Sequence, residues 1–150
     1  MNLKLRVLKN SYLKILAILF LVMLASALEV NGINPKRIIS LSPSITEILF
    51  EIGSGNQVIA VDNFSNYPNE TPISDISAYD PNVEAISLFN PDLVILSYNI
   101  KNLKTALKKI GIETIYLPAP LNFEDILDQI DYLGQKTGNE DKAKKLISKM

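Results

Sequence analysis

Serines, carboxylates and loop aromatics are the side chains of this chain that could do chemistry, because its 150 residues include no His and no Cys. That composition removes a thiol nucleophile, a His-based triad, a Cys/His zinc site and a disulfide framework. Ser42 and Ser44 flank Pro43 directly behind a short apolar run, but no Gly-x-Ser-x-Gly elbow surrounds either hydroxyl. Their certain role is to end a strand and start a helix; a ligand contact would come on top of that. Glu47 and Glu51 are four residues apart. Like charges at that spacing make a solvated helix face rather than an acid–base pair. Gly53-Ser54-Gly55 contains G-x-G but follows a helix instead of joining a strand to one, so it is no dinucleotide fingerprint, and no P-loop is present. With no metal cluster and no paired-acid constellation, the chain does not read as an enzyme. What remains is binding chemistry. Phe64, Tyr67, Tyr79 and Tyr98 fall in polar segments between apolar runs, and aromatics with a few polar groups are the usual lining of a small-molecule cleft. The bland alternative is loop aromatics packed on their own domain.

These residues need elements to position them. Arg37 to Leu41, Gln57 to Val61, Leu93 to Ser97 and Glu113 to Leu117 are short and apolar, the pattern of buried strands. Helices are expected between them. Ser44-Ile45-Thr46-Glu47 reads as a capping box, with Ile45, Ile48, Leu49 and Ile52 as the apolar face and Gly53 as the stop. Asp80-Pro81 reads as the cap and first position of the second helix. Leu103 to Ile110 is a third, ended by Gly111. Phe123 to Lys136 is a fourth, with Phe123, Ile126, Leu127, Ile130 and Leu133 on one face, and Glu140 to Met150 is a fifth. Asp62 to Ala78 is a long polar loop. The β-α-β-α-β-α-β-α order predicts an α/β fold, a mostly parallel four-stranded sheet flanked by helices. Right-handed crossovers then place the loops starting at Ser42, Asp62, Tyr98 and Leu117 at the carboxyl ends of the strands, where such sheets bind ligands.

Lys4, Arg6, Lys9 and Lys14 precede the apolar run Ile15 to Leu24, and Ala25-Ser26-Ala27 follows. This is the pattern of a secretory signal over residues 1–27, and the apolar run is short for a membrane span; an uncleaved anchor is the competing reading. Removing the signal's four basic residues leaves 11 of the 15 basic residues against 16 acidic ones, a net of −5. A mildly acidic exported domain is a poor partner for nucleic acid, whose binding needs phosphates neutralised by Lys and Arg. The two lysine clusters, Lys101 to Lys109 and Lys142 to Lys149, have helical spacing and read as solvated faces. The expected organisation is therefore a signal (1–27), a linker (28–36), an α/β lobe (37–138) and the start of a further helix (139–150).

Four segments together, "RIISLSPSITEILFEIG", "VIAVDNFSNYP", "NVEAISLFNPDLVI" and "LKKIGIETIYL", make residues 35–150 resemble the solute-binding proteins of ABC importers for cobalamin and iron–siderophore complexes. In that family two α/β lobes are joined by a long rigid helix. The resemblance implies that this chain is the N-terminal lobe, that residues 139–150 begin the inter-lobe helix, and that the protein is exported to the periplasmic or extracellular face of the membrane. It implies that Ser42, Pro43 and Ser44 line the cleft and that Phe64 packs on the ligand. Tyr79 and Tyr98 fall near two further aromatic positions of that cleft. Glu84 matches the acidic residue that docks onto the membrane permease subunits. The implied cargo is cobalamin or another large metal chelate such as an iron–siderophore, with no resident cofactor. A chain ending within its last helix is expected to be truncated, and one lobe would bury one face of a ligand only. The alternative is a surface or sensory domain that contacts a partner protein and binds no solute.

Overall fold

The computed structural model describes residues 34–150; the expected signal and most of the expected linker lie outside the described residues. Four strands form one sheet: β1 Ile38–Leu41, β2 Val58–Val61, β3 Leu93–Leu96 and β4 Glu113–Tyr116. Their order is β2-β1-β3-β4 and every pairing is parallel. The helices are α1 Pro43–Glu51, α2 Val83–Leu88, α3 Lys101–Lys109, α4 Phe123–Thr137 and α5 Glu140–Ile147, with a 3₁₀ turn at Gly55–Gln57.

β1, β2 and β3 are apolar at nearly every position because both faces are covered, whereas β4 exposes Glu113 and Tyr116. Ile38, Leu93, Ile95 and Ile115 pack with Ile45 and Leu49 of α1, Ile52 just past its end, Ile130 and Leu133 of α4, and Ala143 of α5. The alternate residues Ile39, Leu41, Val94 and Leu96 pack on the other face with Ile86 of α2 and Leu103 and Leu107 of α3. The side-chain period of two along a strand therefore divides one apolar run between two cores. The segment Asn90-Pro91-Asp92 has a structural job. Asn90 takes a φ of +45°. Asp92 Oδ2 accepts the amides of Lys36 at 2.8 Å and Arg37 at 3.0 Å, tying the start of β3 to the start of β1.

Several helix boundaries differ from the sequence reading; α3 begins at Lys101, two residues before the expected Leu103, and ends at Lys109. α1 begins at Pro43, not after Ser44, with Ser42 as the extended N-cap residue (φ −164°). Proline at the first position has its φ preset for a helix, so the Ser44–Glu47 capping box does not form. α2 begins at Val83, two residues later than Asp80-Pro81 suggests. Asn82 caps it by accepting the amides of Glu84 at 2.7 Å and Ala85 at 3.1 Å, a bidentate arrangement that Asp80 is too far upstream to make. α5 ends at Ile147 instead of running to Met150. Phe123, placed on the buried face of α4 by its spacing, is 48% exposed.

α4 and α5 are bound together at a close crossing. A Cβ on Gly134 would stand 2.5 Å from the Ala143 Cβ, so the helices approach where no side chain intervenes. The bend between them uses Gly138 at φ +71°. Below it, Ser54 donates to Thr137 Oγ1 at 2.8 Å, and Asn139 Nδ2 donates to Ser54 Oγ at 3.0 Å. These bonds fix the α4–α5 joint to the turn after α1.

Candidate functional site

All four βα loops meet at the carboxyl edge of the sheet around one concavity of about 320 Å³. The loop after β1 supplies Ser42, Pro43 and Ser44. The long loop after β2 supplies Phe64 and Tyr79. The loop after β3 supplies Ser97 and Tyr98, and Leu117, Pro118 and Ala119 follow β4. The six residues that the sequence reading assigned to a ligand therefore line a single space, although they span 57 positions of the chain from Ser42 to Tyr98. Glu84 is not among them: it is exposed in the first turn of α2. Tyr67 also stands outside, 60% exposed beside a cis Tyr67–Pro68 bond.

The three aromatics form a row. The Phe64 and Tyr79 ring centroids are 5.8 Å apart, edge to face at 71°. Those of Tyr79 and Tyr98 are 5.1 Å apart and tilted at 46°. Such pairs hold each other in place, yet the rings stay 53%, 63% and 48% exposed. The row is an open, apolar surface with two hydroxyls. The nearby Tyr79 hydroxyl, by hydrogen bonding first and then by charge, and a small loss of hydration raise the Tyr98 pKa above the ordinary 10.0. Like any tyrosine at physiological pH, Tyr98 is a neutral phenol that can donate a hydrogen bond.

A buried polar cluster behind the concavity fixes its walls. Asp62, 1% exposed at the end of β2, accepts the Phe64 amide at 2.8 Å and the Ser65 hydroxyl at 2.7 Å. Thr46 Oγ1 of α1 lies 2.8 Å from Ser40 Oγ, 2.9 Å from the Ser42 carbonyl oxygen and 3.2 Å from Ser65 Oγ. Its single proton serves one of these at a time, and Ser65 gives its own to Asp62. The loop carrying Phe64 is thereby joined to the turn carrying Ser42. On the other side Gln129 of α4 donates to the Pro118 carbonyl at 2.7 Å, holding the loop after β4. The sequence reading missed Asp62, Ser65, Thr46, Ser97 and Gln129. Asp62 and Ser97 directly follow strand residues, and that position relative to the sheet edge was the available signal. Thr46 and Ser65 carry no local one.

The concavity's lining contains no charged residue. Among the described residues, no group of three or more His, Cys, Asp or Glu is placed to hold a metal ion. The arrangement suits a large, flat, uncharged surface that can stack on aromatics and exchange hydrogen bonds with hydroxyls and an amide.

The family profile of periplasmic binding proteins matches residues 38–150. The vitamin B12-binding protein of Vibrio parahaemolyticus is 34% identical over 131 residues, covering 85% of this chain and 47% of that protein. An ABC transporter substrate-binding lipoprotein of Bacillus subtilis is 32% identical over 123 residues, covering 78% of this chain and 39% of its own length. The crystal structure of the vitamin B12-binding protein BtuF of Vibrio cholerae superposes with a TM-score of 0.67 at 27% identity, covering 77% of this chain and 47% of that one. A possible iron-binding periplasmic protein from Staphylococcus epidermidis gives 0.68 at 28% identity, with 77% and 47% covered. The chain spans less than half the length of these relatives, which fits one lobe of a two-lobed architecture. Matched by the family profile from the first strand to its last residue, the chain belongs to the periplasmic binding protein family.

Proposed function

We propose that this lobe is one wall of the solute-binding cleft of an ABC importer, and that its cargo is cobalamin or another large metal chelate. The observation that supports it is the convergence of Ser42, Pro43, Ser44, Phe64, Tyr79 and Tyr98 on one concavity from three separate loops. Rigid strands and the buried Asp62–Ser65–Thr46 cluster preorganise that wall, so little ordering is left for the ligand to induce. The relatives' names, vitamin B12-binding and iron-binding, point to the same class of cargo. The family sets the place of work at the periplasmic or extracellular face of the membrane.

Glu84 is proposed to face the permease subunits. It is exposed at the start of α2, and α2 runs back from the sheet's carboxyl edge, so its first turn lies on the same side as the cleft. A rim carboxylate of this kind would set docking orientation and on-rate more than affinity.

Isothermal titration of the chain with cyanocobalamin tests the reading. One wall contacts one face of the ligand, so the expected affinity is weak, and Phe64→Ala or Tyr98→Ala should weaken it roughly tenfold each, as loss of a stacking partner worth about 1–1.5 kcal/mol implies. Binding that neither substitution changes would overturn the assignment of this wall.

A further inference from the structure

The concavity is uncharged throughout. Its polar groups are the hydroxyls of Ser42, Ser44, Ser97, Tyr79 and Tyr98 and the amide of Gln129. A shallower concavity of about 430 Å³ shares Leu117, Pro118, Ala119 and Gln129 with it, and the charged residues lining that extension are Asp125 and Asp128, both acidic. An ionised carboxylate laid against this wall would lose part of its hydration without gaining a cation, a cost that grows with how much of it the wall covers. It would also stand near two like charges. A carboxamide loses much less, because hydroxyls and a glutamine both donate to its oxygen and accept from its nitrogen.

Resting on the solute-binding reading above, we infer that this wall takes an electroneutral, amide-bearing chelate and rejects chelates whose rim carries carboxylates. The discrimination comes from hydrogen-bond type and absent countercharge; the shape of the macrocycle is common to both classes. A chelate with ionised side groups on this face, whatever its metal, is the wrong ligand for it.

A matched pair of corrinoids isolates the effect. Dicyanocobinamide and dicyanocobyrinic acid share one ring, one metal and two cyanide ligands, and differ in carrying peripheral amides or carboxylates. Equilibrium dialysis of the full chain against each, read by corrin absorbance, should show the amide form binding about tenfold more tightly, the order expected for carboxylates partly dehydrated without a cation. Binding of the amide form should not change with salt, whereas that of the acid should strengthen as salt screens its repulsion from Asp125 and Asp128. Ala119→Lys, which sets a cation in the lining, should narrow the gap between the two. Equal or tighter binding of the acid by the unaltered chain overturns the inference and leaves the solute-binding reading standing. Binding of neither, with the chain folded by circular dichroism, removes both.

Discussion

Asp62→Ala tests whether the buried cluster holds the site together. The carboxylate is 1% exposed and accepts two hydrogen bonds, from the Phe64 amide at 2.8 Å and the Ser65 hydroxyl at 2.7 Å. A hydrogen bond to a charged group contributes about 1.5–3 kcal/mol. Removing the carboxylate loses both bonds and leaves two donors to find water, but it also relieves the desolvation of a buried charge. The net loss should be about 3 kcal/mol, a large share of a typical stability of roughly 5–15 kcal/mol. At roughly 4 °C per kcal/mol for a domain of this size, Tm should fall by about 12 °C. Asp62→Asn keeps an oxygen for the Phe64 amide and turns an NH₂ toward Ser65, so it should cost only about 1 kcal/mol. Urea denaturation followed by circular dichroism measures both variants, with an unchanged m-value showing that stability alone has moved. An alanine variant within about 0.5 kcal/mol of the parent, the usual scatter of surface substitutions, would refute the reasoning. So would an asparagine variant as unstable as the alanine one.

The α4–α5 crossing predicts that Gly134→Ala destabilises despite the better helix propensity of alanine, because the new Cβ would lie 2.5 Å from Ala143 Cβ. Overpacking of about 1–3 kcal/mol against a propensity gain of about 1 leaves a net loss of up to roughly 2 kcal/mol, and Ala143→Gly in the same chain should relieve the clash and restore part of it on a denaturant curve. The Tyr98 phenol should titrate with an NMR midpoint above 10.0, and Tyr79→Phe should bring it back toward the ordinary value; a midpoint at or below that value contradicts the aromatic row. Because the folded pKa is the higher one, any stability linked to Tyr98 is fully present below pH 10.0 and is lost as pH rises through the folded pKa. Glu84→Ala should leave the melting temperature within a few degrees, since the side chain is exposed. It should slow association with the cognate permease subunits measured by surface plasmon resonance, and an unchanged on-rate would remove Glu84 from the docking surface.

The sheet was legible in the sequence because β2 and β3 are apolar throughout and β1 all but Ser40, as strands covered on both faces must be; β4, Glu113-Thr114-Ile115-Tyr116, is half exposed and was found from its place in the β-α alternation. The site's outline was legible for the same reason. Once the strands are parallel, Ser42, Phe64 and Tyr98 have to emerge at one edge. Helix starts were less so. Pro43 and Asn82 displaced the expected caps at Ser44 and Asp80, and several Asx and Ser residues within a few positions can each cap, so that backbone geometry alone selects among them. The cluster of Thr46, Asp62 and Ser65 was not legible. It pairs side chains up to 19 positions apart, Thr46 with Ser65, across the β1–β2 edge. Thr46 is fully buried on the same helix face as Ile45 and Leu49, where an apolar pattern would leave it unnoticed. Its partner Ser40 points to the same core only because alternation along β1 sends it there.

The central claim is that the carboxyl-edge concavity is the wall that receives a chelate. Titration of ¹⁵N-labelled protein with cyanocobalamin, followed residue by residue in two-dimensional NMR, tests it most directly. The predicted result is shifts concentrated in Ser42, Ser44, Phe64, Tyr79 and Tyr98, with the amides of α3 and α5 unmoved. Shifts that saturate elsewhere on the lobe while those five resonances stay fixed would contradict it.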